Sequence, residues 1–462
     1  MNVNQTGRGR WRLAALGIGL VVTLLFSGCT GIQRAGERQT RQQVAEIGRT
    51  YRPDDQKPTL PVLTTNSSLA EVMTFALFNQ PKVEAAYYDW KASVEQITVR
   101  RSLPDPKLTF QSDIAELVKT IMPGFMQEFP GPGKLKVAAR GATARSQTKY
   151  FNFESEVLQT AFDVKRAFYN LHFLDERIRI NRQTLQLLAD FEKIARAQNE
   201  VGKVTLQDVY RAQIEQDQLA TQIENLEDSR QPLTAQFKAA LGLTHDQPNP
   251  PLPAQFPSTS LDLKGDALLT TAFARNPRLK AMEADVRMAE ADIALARKSR
   301  LPDFSLGLMA DANASPTMFR PLAGMTLPIW RDKIAAEVAQ AQAGKRAAEA
   351  RLTSDQIRLT VDFALKTYDY REVTRNLELL QNKLLPKARQ SLEIARSSYL
   401  SGQIDFFNLL DSERTLLNFE LAEVEARTRR EIVLADLSLM IAGVPPEGAP
   451  VLPVKQTNRE PQ

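Results

Sequence analysis

The chain has 462 residues, 43% of them hydrophobic and 24% charged, with a formal charge of +5 at pH 7 and a mean hydropathy of −0.31. It can bury a substantial core, and a polytopic bundle of apolar helices is excluded. With 1 cysteine and 2 histidines, a disulfide framework, a structural zinc site and His-based catalysis are excluded too. Glycine (21) and aromatic residues (7%) are scarce, while stretches rich in Ala, Leu, Gln, Glu, Arg and Lys predict a mainly α fold with long helices. No basic run interleaved with aromatics points to nucleic acid.

Residues 1–28 read as a signal peptide. Arg8, Arg10 and Arg12 precede an apolar run from Leu13 to Phe26, then Ser27-Gly28-Cys29. The run is about 14 residues, short for a transmembrane helix. Its removal lowers the formal charge by three, so part of the basicity belongs to the leader. Leu25-Phe26-Ser27-Gly28-Cys29 resembles a bacterial lipobox, with Phe26 departing from the usual leucine. The resemblance implies lipidation of Cys29, whose acyl chains would hold the N-terminus in a leaflet at ~0.8 kcal/mol per buried methylene. Thr30 after the cysteine is similar to lipoproteins sent on to an outer membrane. The alternative is an ordinary signal peptide with a chance cysteine. Residues 29–66 read as an extended N-terminal segment.

The rest is a tandem duplication. Ala76-Leu77-Phe78-Asn79-Gln80-Pro81 answers Ala272-Phe273-Ala274-Arg275-Asn276-Pro277, and Leu103-Pro104-Asp105 answers Leu301-Pro302-Asp303. Tyr169 pairs with Tyr368, Gly202 with Gly402 and Gly242 with Gly443, all in order. The first repeat spans 67–243: a helix over 67–102, a β-hairpin over about 104–131, a long helix over 133–198, Gly202, and a helix over 205–241. A linker covers 244–264. The second repeat spans 265–443: a helix over 265–300, a hairpin over about 302–329, a long helix over 331–400 that Pro386 should break or kink, Gly402, and a helix over 405–442. Residues 444–462 read as a tail. A proline-free helix of ~66 residues is a rod of roughly 100 Å. In 205–241 a heptad seam runs from Val209 to Phe237, interrupted by Gln216 and Arg230, as expected for a helix packed on its long partner.

The proline-bounded segments alternate. Leu108, Phe110 and Ile114 interleave with Thr109, Gln111 and Asp113, and a less regular return strand runs from about Ile121 to Pro130. Residues 303–310 alternate likewise. So do residues 319–330, with Ala323, Met325, Leu327 and Ile329 on one side, after a turn at Asn313-Ala314-Ser315-Pro316. Strands of about 10 residues can cross a bilayer as part of a tilted barrel. Four strands cannot close one, so membrane strands would require several chains, and a trimer would supply twelve. The alternative is a pair of hairpins capping a soluble helical bundle.

Together, the duplication, the Leu-Pro-Asp lead-ins, the lipobox, and Gly202 and Gly402 followed by Asp208-Val209 and Asn408-Leu409 resemble TolC-like outer-membrane efflux proteins over about 67–443. The resemblance implies a homotrimer: a trimeric α-helical barrel joined to a 12-stranded β-barrel, lipid-anchored in the Gram-negative outer membrane. It also implies an exit duct for a periplasmic adaptor (membrane fusion protein) and an inner-membrane pump of the resistance-nodulation-division type. It places the turns at Gly202 and Gly402 at the adaptor-docking, periplasmic end, with Asp208 and Asp411 as gate acids. Asn408 stands where related members carry another aspartate. Those acids could equally serve the helix dipoles. Phe406 and Phe407 read as packing residues, with an adaptor-facing knob as the alternative.

Gln127 to Lys134 fails as a phosphate loop, because Leu135 follows Lys134. As a strand exit it resembles metal-efflux members of the family. No cofactor, resident metal or enzymatic constellation is expected. The competing reading is a lipid-anchored periplasmic coiled-coil adaptor, which would carry a single helical hairpin between β modules.

Overall fold

The computed structural model describes residues 35–254 except 116, residues 265–311 and residues 316–442. The predicted signal peptide and Cys29, the turn at 313–315 and the tail at 444–462 lie outside the described residues.

Proline and glycine divide the helices. The reading of 67–102 as one helix gives way to α2 (Leu69–Asn79) and α3 (Pro81–Arg101), and 265–300 divides into α7 (Gly265–Arg275) and α8 (Pro277–Lys298). Pro81 and Pro277 cause both divisions, since each lacks an amide hydrogen and takes the first position of a new helix. Ser68 and Glu71 close a capping box ahead of α2. The rod α4 (Lys134–Glu200) runs unbroken for 67 residues, roughly 100 Å at 1.5 Å each. It is followed by α5 (Leu206–Asp228) and α6 (Arg230–Ala240), where a single helix was expected. Pro232 explains that break, because it cannot donate to the turn before it. The second rod is α9 (Arg331–Leu379), a π segment (Leu380–Leu384) and α10 (Leu385–Leu400). The break expected at Pro386 takes this form, with a widened turn absorbing the missing hydrogen bond. The last helix is α11 (Phe406–Ala442).

The N-terminal segment is not extended throughout. Helix α1 (Ala35–Tyr51) precedes a 3-10 turn (Pro53–Asp55). Ile47 and Tyr51 insert beside Tyr87, Trp90 and Phe153, with Tyr51 and Tyr87 ring centroids 5.1 Å apart and Trp90 stacked on Phe153 at 5.9 Å. Glu37 is buried as well. It accepts from Arg101 Nε and Thr98 Oγ1, both at 2.7 Å. The described part of the linker returns along this segment, with the Ala254 amide donating to the Thr65 carbonyl.

Strands β1 (Lys107–Ala115), β2 (Leu117–Phe129), β3 (Phe304–Asp311) and β4 (Met318–Met325) form one antiparallel sheet in the order β1-β2-β3-β4. The return strand β2 starts earlier than its irregular pattern predicts, and β4 stops at Met325. Leu327 and Ile329 therefore lie beyond the ladder, where Pro328 cannot donate. The register aligns Leu108, Phe125, Leu308 and Pro321 across all four strands. With Phe110, Phe304, Leu306 and Phe319, these make one face almost wholly apolar. The other face is mixed: Thr109, Gln111, Gly124, Ser305, Gly307 and Gly324 share it with Met122, Met126, Met309 and Leu322, and it carries ion pairs Lys107–Glu128 at 2.5 Å and Arg320–Asp311 at 3.3 Å.

Candidate functional site

At the end of the rods farthest from the sheet in sequence, the two chain reversals are built alike. Gly202 (φ 73°) and Gly402 (φ 77°) occupy the left-handed region, which glycine adopts without strain. The Gly202 and Lys203 amides donate to Asn199 and Gln198 carbonyls, and Gly402 and Gln403 repeat this with Tyr399 and Ser398. Each is a Schellman closure. A Cβ at either glycine would meet nothing within 4 Å, so backbone conformation rather than crowding demands glycine there.

The reversals pack together through a core shared by both repeats. Leu188, Phe191, Val209 and Ala212 of the first meet Leu392, Tyr399, Phe406 and Leu409 of the second. Phe406 is fully buried against Tyr399, with centroids 5.3 Å apart, whereas Phe407 is exposed. Gln216 and Arg230, the interruptions of the first seam, reach across to α4. Gln216 donates to Glu192 at 3.1 Å alongside Gln213 at 2.9 Å and Arg196 at 2.7 Å, and Arg230 pairs with Asp175.

Asp208 is half-buried at the crossing, near Arg211, Asp405 and Tyr399. Burial, opposed by Arg211 and reinforced by Asp405, raises its carboxyl above the ordinary value. Burial and the neighbouring Asp208 push the Tyr399 phenol up to about 12. Asn408 is exposed, its amide capped at 3.0 Å by the Asp405 carboxylate. Asp411 is exposed one turn further along α11. Thus the chain gathers Asp208 with Asp405 and leaves Asn408 and Asp411 exposed.

Sequence reasoning missed Asp405, Glu215, Arg414 and Glu413. Arg414 pairs with Glu215 across the repeats. Glu413 is only 3% exposed, and burial, with help from Glu215 and against Arg414, raises its carboxyl to about 7. The spacing Phe406, Leu410, Glu413, Leu417 was the available signal: a carboxylate sits in a seam position. Among the described residues no group of His, Cys, Asp or Glu could hold a metal ion, and no helix is long and apolar enough to cross a membrane.

The duplicated architecture has counterparts among known proteins. The sequence matches the outer membrane efflux protein family over residues 74–243 and 268–443. The chain belongs to that family. OprJ, an outer membrane protein of Pseudomonas aeruginosa, is 24% identical over 430 residues, 89% of this chain and 82% of OprJ. The cobalt-zinc-cadmium resistance protein CzcC of Cupriavidus metallidurans is 25% identical over 267 residues, and the match spans 55% of this chain and 60% of CzcC. Two solved channels share the fold of this efflux-family chain. OprN superposes with a TM-score of 0.72 at 16% identity, over 85% of this chain and 98% of its own. CmeC of Campylobacter jejuni gives 0.71 at 14%, over 86% and 91%. The expected mainly helical fold with β-hairpins is the one observed.

Proposed function

We propose that three copies of this chain close a 12-stranded barrel in the outer membrane, continuous with a helical barrel in the periplasm, and so form the exit duct of a tripartite efflux system. The observation carrying this reading is the sheet. Its exposed face of leucine and phenylalanine suits lipid, its other face, where glycines, polar side chains and two ion pairs sit among methionines, suits the less apolar inside of a barrel, and its two unpaired edges demand further strands. The long rods supply the reach below it.

In this reading the reversals at Gly202 and Gly402 form the periplasmic mouth, where the adaptor docks and Asp208, Asn408 and Asp411 line the gate. Cys29 carries the lipid anchor. The adaptor delivers cargo from an inner-membrane pump of the resistance-nodulation-division type. The likeness to a cobalt-zinc-cadmium resistance protein favours divalent metal cations as cargo, and deletion of the gene should then sensitise cells to those ions more than to organic drugs.

Single-particle imaging of the protein in mild detergent tests the duct. Threefold hollow cylinders with a helical rod of roughly 100 Å are expected, and solid monomers would overturn the reading in favour of a lipid-anchored periplasmic coiled-coil protein. Cys29→Ser should abolish incorporation of labelled palmitate, and persistent labelling would remove Cys29 as the anchor.

A further inference from the structure

The junction between the two repeats is complete inside one chain, while the matching halves at the outer edges of the sheet are bare. Inside the chain, β2 pairs with β3, and Asp303 fastens the join. Its Oδ1 accepts the Gly131 amide at 2.6 Å and Lys134 Nζ at 2.8 Å, and Lys298 Nζ donates to the Pro132 carbonyl at 3.0 Å. The fit is close, since a Cβ at Gly131 would stand 2.5 Å from the Pro302 carbonyl oxygen.

The duplication supplies a counterpart for each partner. Asp105 in Leu103-Pro104-Asp105 corresponds to Asp303, and Arg331 opens α9 as Lys134 opens α4. Asp105 and Arg331 are exposed, and among the described residues neither side chain has an ion pair or hydrogen bond. They belong to opposite edges of the sheet, β1 and β4, three strand spacings or roughly 14 Å apart. The apolar surroundings are equally bare. Leu103 is 48% exposed, and Leu327 and Ile329 are 62% and 65% exposed, whereas Leu301 packs at the Gly131 turn.

We propose that a second copy of the chain completes this half-junction, with Asp105 of one protomer pairing with Arg331 of the next as β1 and β4 join edge to edge. The proposal rests on the trimeric reading above. It follows from continuity of the sheet and from opposite charge at the two bare ends. One difference between repeats fits it. Three residues ahead of each long helix the first repeat has Gly131, whose amide serves Asp303, and the second has Pro328, which has no amide hydrogen. Asp105 must therefore take both of its bonds from one side chain, and the guanidinium fork of Arg331 offers two parallel donors where lysine offers a point charge.

The test uses the full chain in mild detergent with Asp105→Cys and Arg331→Cys combined, treated with a short bifunctional thiol reagent. Covalent dimers and trimers in denaturing gels are expected, and neither single variant should give them. Purely monomeric migration from a preparation that native mass measurement finds trimeric would overturn this junction and leave the duct standing. A preparation that is monomeric before treatment would overturn the trimeric reading and this junction with it. Charge reversal supplies a second measurement. Asp105→Arg should lower the temperature at which the trimer dissociates, and adding Arg331→Asp should restore it. A double variant no more resistant than the single one contradicts the pairing.

Discussion

The hairpin of α4 with α5 and the hairpin of α10 with α11 reverse direction through the same pair of backbone hydrogen bonds, yet where the first carries Gln213 the second carries Glu413. Gln213 donates to Glu192 at 2.9 Å, so a neutral amide and a partly exposed carboxylate satisfy each other. Glu413 lies inside the shared core beside Glu215. The rods differ in the same sense: the first is unbroken for 67 residues, and the second contains the π segment at Leu380–Leu384. Matching turns can therefore hold one strut whose polar contacts are complete and another that carries a titratable group in its seam and a defect in its ladder.

That contrast can be broken most forcefully at Glu413. Its folded-state carboxyl titrates near 7, above its ordinary value of 4.5. The folded protein thus holds a proton that the unfolded chain has released, and stability falls as pH rises from about 4.5 to 7. Glu413→Gln should remove this slope and stabilise each chain by about 3 kcal/mol above pH 8, with no gain at pH 4.5. Thermal midpoints across that range decide it, and parallel curves for the two proteins would sink the claim. Next in size, Gly202→Ala and Gly402→Ala should each cost about 1–2 kcal/mol through left-handed backbone alone. Unequal losses would show that the turns are not equivalent. Glu192→Ala should cost about 1 kcal/mol by stranding Gln213, Gln216 and Arg196, and amide exchange should quicken in the first hairpin only. Smallest in stability is Asp411→Ala, within about 0.5 kcal/mol of the parent. It should still lower cation selectivity in planar bilayers, and unchanged selectivity would take Asp411 out of the gate.

What the sequence made legible had local causes. A glycine at positive φ, a proline ahead of a strand and period-two alternation each act over a few residues, so the reversals, the hairpins and the duplication could be placed before any coordinates. Helix α1 could not, because its 17 residues contribute few apolar positions, chiefly Val44, Ile47 and Tyr51, and it buries Glu37 against Arg101. Its stability comes from docking on α3 and α4, which no local pattern encodes. Asp405 is hidden for the same reason, since the acid beside it, Asp208, comes from the other repeat; Glu413 is legible as a carboxylate at a seam position, but its neighbour Glu215, about two hundred residues away in sequence, is not. Pro81 and Pro277 are visible as repeat markers, but a proline at the first position of a helix leaves helical composition intact on both sides, so the boundary leaves no change of pattern to mark it.

Strand length carries a consequence for the surrounding lipid. Strands β3 and β4 have 8 residues each. At ~3.3 Å per residue and a tilt of about 40°, they span roughly 20 Å of depth, less than the ~25 Å apolar band of known barrels. The wall of a closed ring would alternate between this hairpin and the one formed by the 9-residue β1 with the 13-residue β2. The bilayer at the rim would then dip three times around the circumference, each dip costing a fraction of a kcal/mol per Å of mismatch. Such a scalloped rim would favour neighbouring lipids with short or disordered acyl chains, so the composition of the leaflet around the duct would differ from that of the open membrane.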